Sequence, residues 1–202
     1  MASEVFSSDS VLIGEYYLND RQLISFQEFP NHLIQALLAI EDERFYNHSG
    51  IDFPSLLRVG FKTILMGDAS SGGGSTLTQQ LAKNLYPRKD RQSAHLIIDK
   101  LKEMIIAKRL ESLYSKEEIL THYLNTVSFS DNTFGIESAT LKFFNSNAEK
   151  LSLEQAVTLV GMLKATYSDN PRIFPKKSLD RRNLILKAMN ENGFLNQERM
   201  ML

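Results

Sequence analysis

Apolar residues recur at three- and four-residue steps over most of the chain, which is the spacing of an amphipathic α-helix. The first such stretch begins after Pro30 and includes Leu33, Leu37 and Leu38. Capping boxes, in which a serine and an acidic or amide residue three positions later close the first amides of a helix, begin at Ser115 and Ser152. The pattern predicts further helices at about 53–66, 76–85, 94–112, 116–124, 135–143, 153–164 and 178–190.

One segment shows the character of strands instead. Residues 11–18 and 21–26 are short apolar and aromatic runs separated by the turn-forming pair Asn19-Asp20. We therefore predict an N-terminal β-hairpin in an otherwise mainly α fold.

Composition is that of an ordinary soluble globular chain. It has 202 residues, of which 43% are hydrophobic and 23% charged, and its net charge is −1; this fits one domain or two small lobes that share a core. The near-zero charge argues against a nucleic-acid partner held by a basic surface. Cysteine is absent, so disulfides and thiolate metal sites are excluded. No apolar run is long enough to span a membrane.

Glu41 continues the apolar stripe of the first predicted helix, because it follows Leu37 by four residues and Leu38 by three. A carboxylate at the end of an apolar stripe is partly desolvated, which suits it to proton transfer. The alternative is that residues 41–43 form a solvated acidic helix end, because charged clusters usually lie on the surface. The spacing alone leaves both interpretations open.

A glycine run followed by a polar helix forms the second candidate site. Residues 72–74 are all glycine, and Ser75 or Thr76 can cap the helix that follows. Such a helix start offers free amides to an anion, and Lys83 adds positive charge. The run is not a Walker loop, since the Gly-Lys-Ser/Thr ending is missing. A flexible loop before a capped helix is the alternative.

Glu103 lies in a segment whose apolar stripe runs from residue 97 or 98 through Leu101 to residue 104 or 105. On a helix Glu103 points away from that stripe. Taken alone, Glu103 is therefore a surface glutamate. Periodicity by itself therefore gives Glu103 no role.

Four stretches, in order along the chain, resemble signatures of the family 51 peptidoglycan glycosyltransferases. They are residues 41–50 (EDERFYNHSG), 74–84 (GSTLTQQLAKN), 116–125 (KEEILTHYLN) and 181–186 (RRNLIL). The N-terminal hairpin also resembles the segment before this domain in class A penicillin-binding proteins. The resemblance implies a lysozyme-like, bilobed helical fold with a small membrane-facing jaw lobe. It divides the chain into an N-terminal segment, 1–30, and a glycosyltransferase domain, 31–202, with the jaw at about 52–72.

The third signature departs from the usual pattern of the family, which is Arg-Lys-x-x-Glu. Here Asp99 stands in place of the arginine, followed by Lys100 and Glu103. An aspartate four residues before a glutamate repels it, whereas an arginine would pair with it. We expect either that another cation supplies the charge or that the site is weaker; the candidates are Arg91, Lys89 and Arg88.

The reaction that the resemblance implies joins lipid II disaccharides into glycan strands. The 4-hydroxyl of the acceptor N-acetylglucosamine (GlcNAc) attacks the anomeric carbon of a lipid-pyrophosphate donor and inverts the linkage from α to β-1,4. The reaction needs a base, cations for the pyrophosphate and a groove that aligns both sugars. The resemblance implies Glu41 as the base and Glu103 as the second catalytic glutamate. It implies substrate binding by Lys83, Arg91, Ser75, Thr76, Gln80, Asn84, Lys100 and His48, the last of which we expect to brace the site rather than react.

Two lipid-linked substrates imply work at a membrane surface. Residues 53–67 are strongly apolar, interrupted by Arg58 and Lys62, and too short to span a bilayer. Apolar residues with scattered cations suit a helix that lies among lipid headgroups; the alternative is an ordinary buried helix. The resemblance places the domain on the outer face of a bacterial membrane, with an anchor helix expected before Met1.

The resemblance also implies other ligands. Mg²⁺ or Mn²⁺ is expected to assist the pyrophosphate rather than to occupy a built-in site, and moenomycin-type inhibitors are expected to compete for the donor groove. No organic cofactor and no nucleic acid are expected.

Two other functions fit parts of the sequence. A lysozyme-type hydrolase shares a helix-end glutamate near a sugar, but it has no use for pyrophosphate-binding cations such as Lys83 and Arg91. A catalytically weak scaffold that binds lipid II is the second alternative, and Asp99 supports it. A penicillin-binding transpeptidase is excluded for this chain, because no serine is followed three residues later by lysine.

Overall fold

The computed structural model describes residues 3–16, 20–66, 74–87, 93–130 and 132–195, and this part of the chain is mainly helical. The predicted fold class is confirmed. The helices are α1 (Asn31–Glu41), α2 (Phe53–Met66), α3 (Leu77–Leu85), α4 (Ser93–Leu113), α5 (Lys116–Thr126), α6 (Ile136–Phe144), α7 (Leu153–Met162) and α8 (Pro175–Glu191). Short 3-10 helices lie at Phe26–Glu28, Phe45–Asn47 and Ala148–Lys150.

The helix boundaries follow local signals in the sequence. Both predicted capping boxes are present: the hydroxyls of Ser115 and Ser152 accept from the amides of Glu118 and Gln155. Helix α8 begins earlier than predicted, at Pro175. Proline is well tolerated in the first turn, where its missing amide hydrogen would have no helical partner.

Two groups of helices position the site. Helix α1 packs against α7 and α8, while α3 packs against α4 and α5. Their apolar faces join in one core, because buried residues of α1, α3, α5, α7 and α8 belong to a single cluster. Burial of these faces is the main stabilising contribution to such a fold. The largest fully buried members are Tyr123, Phe45, Phe129, Leu33, Leu37, Leu77 and Leu81.

The N-terminal hairpin is present, but one of its predicted strands is wrong. Strand β2 (Leu12–Tyr16) pairs antiparallel with β1 (Ser3–Phe6) rather than with residues 21–26. Strand β3 (Asp20–Arg21) instead pairs in parallel with β4 (Thr133–Phe134).

Side chains of the helical body replace the predicted hairpin partner. The main chain of Ile24 exchanges two hydrogen bonds with the side-chain amide of Asn125, at 2.8 and 3.2 Å. The amide of Gln22 donates to the hydroxyl of Ser138 at 2.9 Å. The segment therefore satisfies its backbone without a neighbouring strand.

The predicted jaw overlaps α2, whose first turns expose Phe53 and Leu57 to 60% and 73%. Residues 67–72 of the predicted jaw lie outside the described residues. Within the described ranges no helix is both long and apolar enough to cross a bilayer. The division at residue 30 and the jaw itself stay predictions.

Candidate active site

A cleft of about 620 Å³ lies between the end of α1, the helices α3 to α5 and the α7–α8 region. It brings together most of the site residues predicted from sequence. Those that line it are Glu41, Ser75, Gln80, Lys83, Asn84, Lys100 and Glu103. Thr76 lines a neighbouring pocket instead, and His48 lines neither cavity. Arg91, like Arg88 and Lys89, lies outside the described residues.

Glu41 is the last residue of α1, directly after the buried Leu37 and Leu38. Its side chain is 16% exposed, so the expected partial burial is observed. The amide nitrogen Nε2 of Gln80 donates to its Oε2 at 2.9 Å, and the guanidinium of Arg181 lies 3.7 Å from its Oε1. The solvated helix end considered from the sequence is therefore excluded for this carboxylate.

Tyr123 is a site residue that the sequence did not single out for a role. Its hydroxyl donates to Oε1 of Gln80 at 3.0 Å, and the residue is only 1% exposed. Burial, with a smaller contribution from the charge of Glu41, raises the pKa of the Tyr123 hydroxyl, so it keeps its proton. Because this donor occupies the Gln80 oxygen, the Gln80 nitrogen faces Glu41. The only signal in the sequence was that a tyrosine, whose ring carries a hydroxyl, occupies one of the apolar positions of α5.

Glu103 is buried, which contradicts its expected surface position. The residue is 5% exposed, whereas Ile97 and Leu101 of the same helix are 69% and 54% exposed. Helix α4 packs its polar side against α3 and leaves its apolar stripe outside. Glu103 does point away from the stripe, as predicted, but the stripe does not face the core.

A lysine lies beside Glu103. Nζ of Lys100 is 3.2 Å from Oε2 of Glu103, and it donates to Ser75 Oγ at 2.7 Å and Gln79 Oε1 at 2.9 Å. Asp99 pairs with Lys102 at 3.3 Å and does not line the cleft. Lys100, the lysine of the third signature, thus places positive charge next to Glu103, while Arg91, Lys89 and Arg88, the candidates for the charge of the missing arginine, lie outside the described residues.

The cleft favours anions. Among the described residues, its lining carries two carboxylates, Glu41 and Glu103, against four cations, which are Lys83, Lys100, Lys164 and Arg181. Nε of Arg181 is buried and has no hydrogen-bond partner among the described residues. Clustered cations in a recessed site attract phosphate-like groups.

A smaller pocket of about 120 Å³ adjoins the cleft, and Glu41 and Ser75 line both. Its other polar side chains include Asp52, Ser55 and Arg58. Burial acts to raise the pKa of Asp52, but hydrogen bonds from Ser55 and the charge of Arg44 hold it below its usual value. Asp52 is therefore ionised, and Glu41 stands at the boundary between two polar cavities.

Asp42 and His48 brace the wall behind the cleft. Asp42 accepts the amide of Leu77 at 2.9 Å and contacts Nε2 of His48 at 3.0 Å. The amide of Gly50 donates to Nδ1 of His48 at 3.2 Å, which assigns the ring proton to Nε2. His48 thus joins the loop after α1 to the start of α3, in the bracing position that we expected.

Thr76 and Gly50 complete this brace. The Thr76 hydroxyl caps α3 by accepting the amide of Gln79 and donates to the Gly50 carbonyl at 2.7 Å. Gly50 has φ +86°, and a Cβ there would lie 2.8 Å from the carbonyl oxygen of Ala107. Only glycine fits this close approach to α4.

The expected role of Mg²⁺ or Mn²⁺ with the pyrophosphate stays a prediction. Among the described residues no three histidine, aspartate or glutamate side chains are grouped as a metal site. The two carboxylates of the cleft each lie near a cation, Glu41 near Arg181 and Glu103 near Lys100.

A family model and the similar individual proteins point to the same family. A family model described as Transglycosylase matches residues 9–190. The chain is 36% identical to penicillin-binding protein 1F of Bacillus subtilis over 96% of its length, and 36% identical to penicillin-binding protein 1A of Aquifex aeolicus over 98%. It spans 26% of each of those proteins, or about a quarter.

A solved structure shows the same fold. The crystal structure of penicillin-binding protein 1A from Haemophilus influenzae matches all of this chain and 20% of that one, with a TM-score of 0.54 and 19% sequence identity.

Proposed function

Because the chain belongs to the transglycosylase family, we propose that it is an inverting peptidoglycan glycosyltransferase that polymerises glycan strands. It transfers the lipid-pyrophosphate-linked growing chain to the GlcNAc 4-hydroxyl of lipid II, forming a β-1,4 linkage. The observation that carries the proposal is the position of Glu41, which lines a cation-rich cleft on one side and a small polar pocket on the other.

The larger cleft suits the donor. Lys83 and Lys100 would hold the departing pyrophosphate, since opposite charges in a recessed site stabilise a developing anion. Ser75, Gln80 and Asn84 would bind the donor sugar by hydrogen bonds. Glu103 would act from the donor side, where its contact with Lys100 keeps that cation in position.

The smaller pocket suits the acceptor. A hydroxyl placed there would lie beside Glu41, whose carboxylate takes its proton as the new bond from oxygen to the anomeric carbon forms. The bond from that carbon to the pyrophosphate breaks, and the leaving group keeps the electron pair. Gln80, oriented by Tyr123, would hold the Glu41 carboxylate for this transfer.

A divalent cation enters this proposal only with the substrate. Mg²⁺ or Mn²⁺, bound to the pyrophosphate, would supply further positive charge; no step is assigned to it, since the described residues offer no cluster of three ligands. We also propose that the domain works at the outer, extracytoplasmic face of the bacterial cell membrane, where its lipid-linked substrates reside.

The proposal is tested by lipid II polymerisation in detergent with Mg²⁺. We expect polymer from the wild type and a loss of roughly 10²–10⁴-fold in Glu41→Gln, the range for a removed general base. The exposed Glu149 lines neither cavity, so Glu149→Gln is the matched control and should retain activity. Tight lipid II binding without polymer from the wild type would favour the scaffold, and release of free sugars would favour the hydrolase.

The donor groove has a separate test. Moenomycin, which mimics the donor, should bind Lys83→Ala more weakly than the wild type, because a phosphate contact is lost. Lys150→Ala removes an exposed lysine that lines neither cavity and should bind normally. Equal affinity of Lys83→Ala and wild type would overturn the pyrophosphate site.

A further inference from the structure

Helix α4 carries another buried acid near its end, which the reaction above does not use. The side chain of Glu111 is 6% exposed, and it lines neither the cleft nor the small pocket. Its Oε1 accepts two hydrogen bonds, one from the hydroxyl of Thr78 at 2.6 Å and one from Nζ of Lys116 at 2.8 Å. A buried carboxylate is costly unless such donors satisfy it. Glu111 therefore joins the helices α3, α4 and α5 at one oxygen atom.

Lys116 extends this contact to the loop after α1. Besides Glu111, its ammonium donates to the carbonyl oxygen of His48 at 2.7 Å. It also lies 4.2 Å from the centroid of the Phe45 ring, which is fully buried, so a cation–π attraction adds to the hydrogen bonds. The pair of Glu111 and Lys116 thus ties the loop that follows Glu41 to the end of α4 and the start of α5.

Thr78 is the residue through which this contact reaches the cleft. It is fully buried in the first turn of α3. The next residue, Gln79, accepts from Nζ of Lys100 at 2.9 Å, and Gln80 donates to Glu41 at 2.9 Å. Successive residues of an α-helix point about 100° apart, so the three side chains leave α3 in different directions. A rotation of α3 that broke the Thr78 contact would move both glutamines away from their partners.

We propose that Glu111 is a positioning residue for glycosyl transfer. Through Thr78 it holds α3 in the rotation that places Gln80 against the base Glu41, a carboxylate that Glu111 itself does not touch. The proposal rests on the glycosyltransferase function. Small displacements of a group that holds the reacting atoms lower the rate of the chemical step more than they weaken substrate binding. The loss should therefore appear in kcat rather than in KM.

The first test removes the hydroxyl that links Glu111 to α3. Steady-state lipid II polymerisation should give a kcat about tenfold lower for Thr78→Val, with KM changed by less than about twofold. Thr78→Ser keeps the hydroxyl and should retain most of kcat. Thr140→Val is the matched control, because Thr140 is also fully buried but its hydroxyl donates to the Ile136 carbonyl of its own helix. Its kcat should equal that of the wild type.

The second test changes the acid itself. Glu111→Gln keeps the length of the side chain and an oxygen that can accept from Thr78, but it removes the charge that holds Lys116. We expect kcat to fall about tenfold, again with KM nearly constant. Because both substitutions break one chain of contacts, the double variant with Thr78→Val should lose much less than about a hundredfold.

A double-mutant cycle with Gln80 separates positioning from a general loss of stability. In Gln80→Ala the contact with Glu41 is already absent, so adding Thr78→Val should lower kcat less than about twofold. A contact that only stabilises the fold would give the same tenfold loss with and without Gln80. Urea denaturation of each variant gives the folded fraction, so that kcat is expressed per folded molecule.

The outcomes distinguish the positioning role from the function on which it rests. With an active wild type, an unchanged kcat in Thr78→Val and Glu111→Gln would overturn the positioning role and leave the glycosyltransferase function intact. Equal losses from Thr78→Val with and without Gln80 would do the same. Absence of polymer from the wild type would overturn both the function and the role.

Discussion

Helices α1 and α4 each bring a glutamate to the same cleft, but they do so with opposite faces. In α1 the apolar stripe is buried, with Leu37 fully inside, and Glu41 ends it. In α4 the apolar residues Ile97 and Ile105 are 69% and 70% exposed, whereas Glu103 is buried. The same spacing of apolar residues thus marks the inside of one helix and the outside of the other.

The difference lies in what each helix packs against. Helix α1 meets the apolar faces of α7 and α8, whereas α4 meets polar side chains of α3. Lys100 bonds to Ser75 and Gln79, and Glu111 accepts the hydroxyl of Thr78 at 2.6 Å. An apolar stripe shows which side avoids water, not whether protein or lipid covers it. An exposed stripe of this kind suits a membrane surface.

The prediction with the largest expected effect asks whether polymerisation needs Glu103 as well as Glu41. Glu103→Gln should lower polymerisation about 10²-fold, because it removes a charge from the buried cluster with Lys100 at the donor end. Initial rates of lipid II polymerisation measure this. Asp99→Asn is the control, since Asp99 lies one turn away outside the cleft and should change the rate little. If Asp99→Asn is as harmful as Glu103→Gln, the distinction between the acid inside the cleft and the acid outside it on α4 fails.

The second prediction compares the two apolar stripes by the same substitution. Leu37→Ala should lower the free energy of unfolding by about 2–5 kcal/mol, the cost of a cavity in a packed core. Leu101→Ala, at a position 54% exposed, should change it by less than about 0.5 kcal/mol. Urea denaturation of both variants gives the answer. A similar loss of unfolding free energy in the two variants would mean that protein covers the apolar stripe of α4.

The third prediction concerns the support that α5 gives to Glu41. Tyr123→Phe removes the donor that orients Gln80, so kcat should fall about tenfold while KM stays nearly constant. Steady-state polymerisation kinetics separate the two parameters. Tyr114→Phe, just before α5, is the matched control, because the Tyr114 ring contacts His122 and lines neither cavity. An unchanged kcat for Tyr123→Phe would show that Gln80 needs no second partner.

The smallest expected effect addresses the α4 stripe at a lipid surface. Leu101→Ser with Ile105→Ser should weaken binding to anionic lipid vesicles about threefold, since two exposed apolar side chains are lost. Vesicle co-sedimentation measures it. Leu141→Ser alters an exposed leucine on α6 and should leave binding unchanged. If all variants bind the vesicles equally well, the exposed apolar side of α4 does not contact lipid.

Local features of the fold were predictable from sequence. Helix positions and the caps at Ser115 and Ser152 follow from neighbouring residues, and so does the partial burial of Glu41. The four signatures identified the family, and most of the site residues predicted from the resemblance line the cleft.

Features set by distant partners were not predictable. The hairpin strand was misassigned because Asn125, which replaces its partner, lies 101 residues further along. Periodicity alone assigned Glu103 to the surface, because it does not report what a helix packs against; the resemblance, in contrast, assigned Glu103 to the site. The Tyr123 contact with Gln80 joins two helices whose relative position only the folded core determines.

The packing of α1 against α7 and α8 also sets an order of events during synthesis. The apolar face of α1 is made before α7 and α8, the helices that cover it. A growing polypeptide must therefore wait with Leu33 and Leu37 uncovered until α8 has emerged. Until then the uncovered apolar face can associate with other chains. The site is thus complete only after α8 has been made.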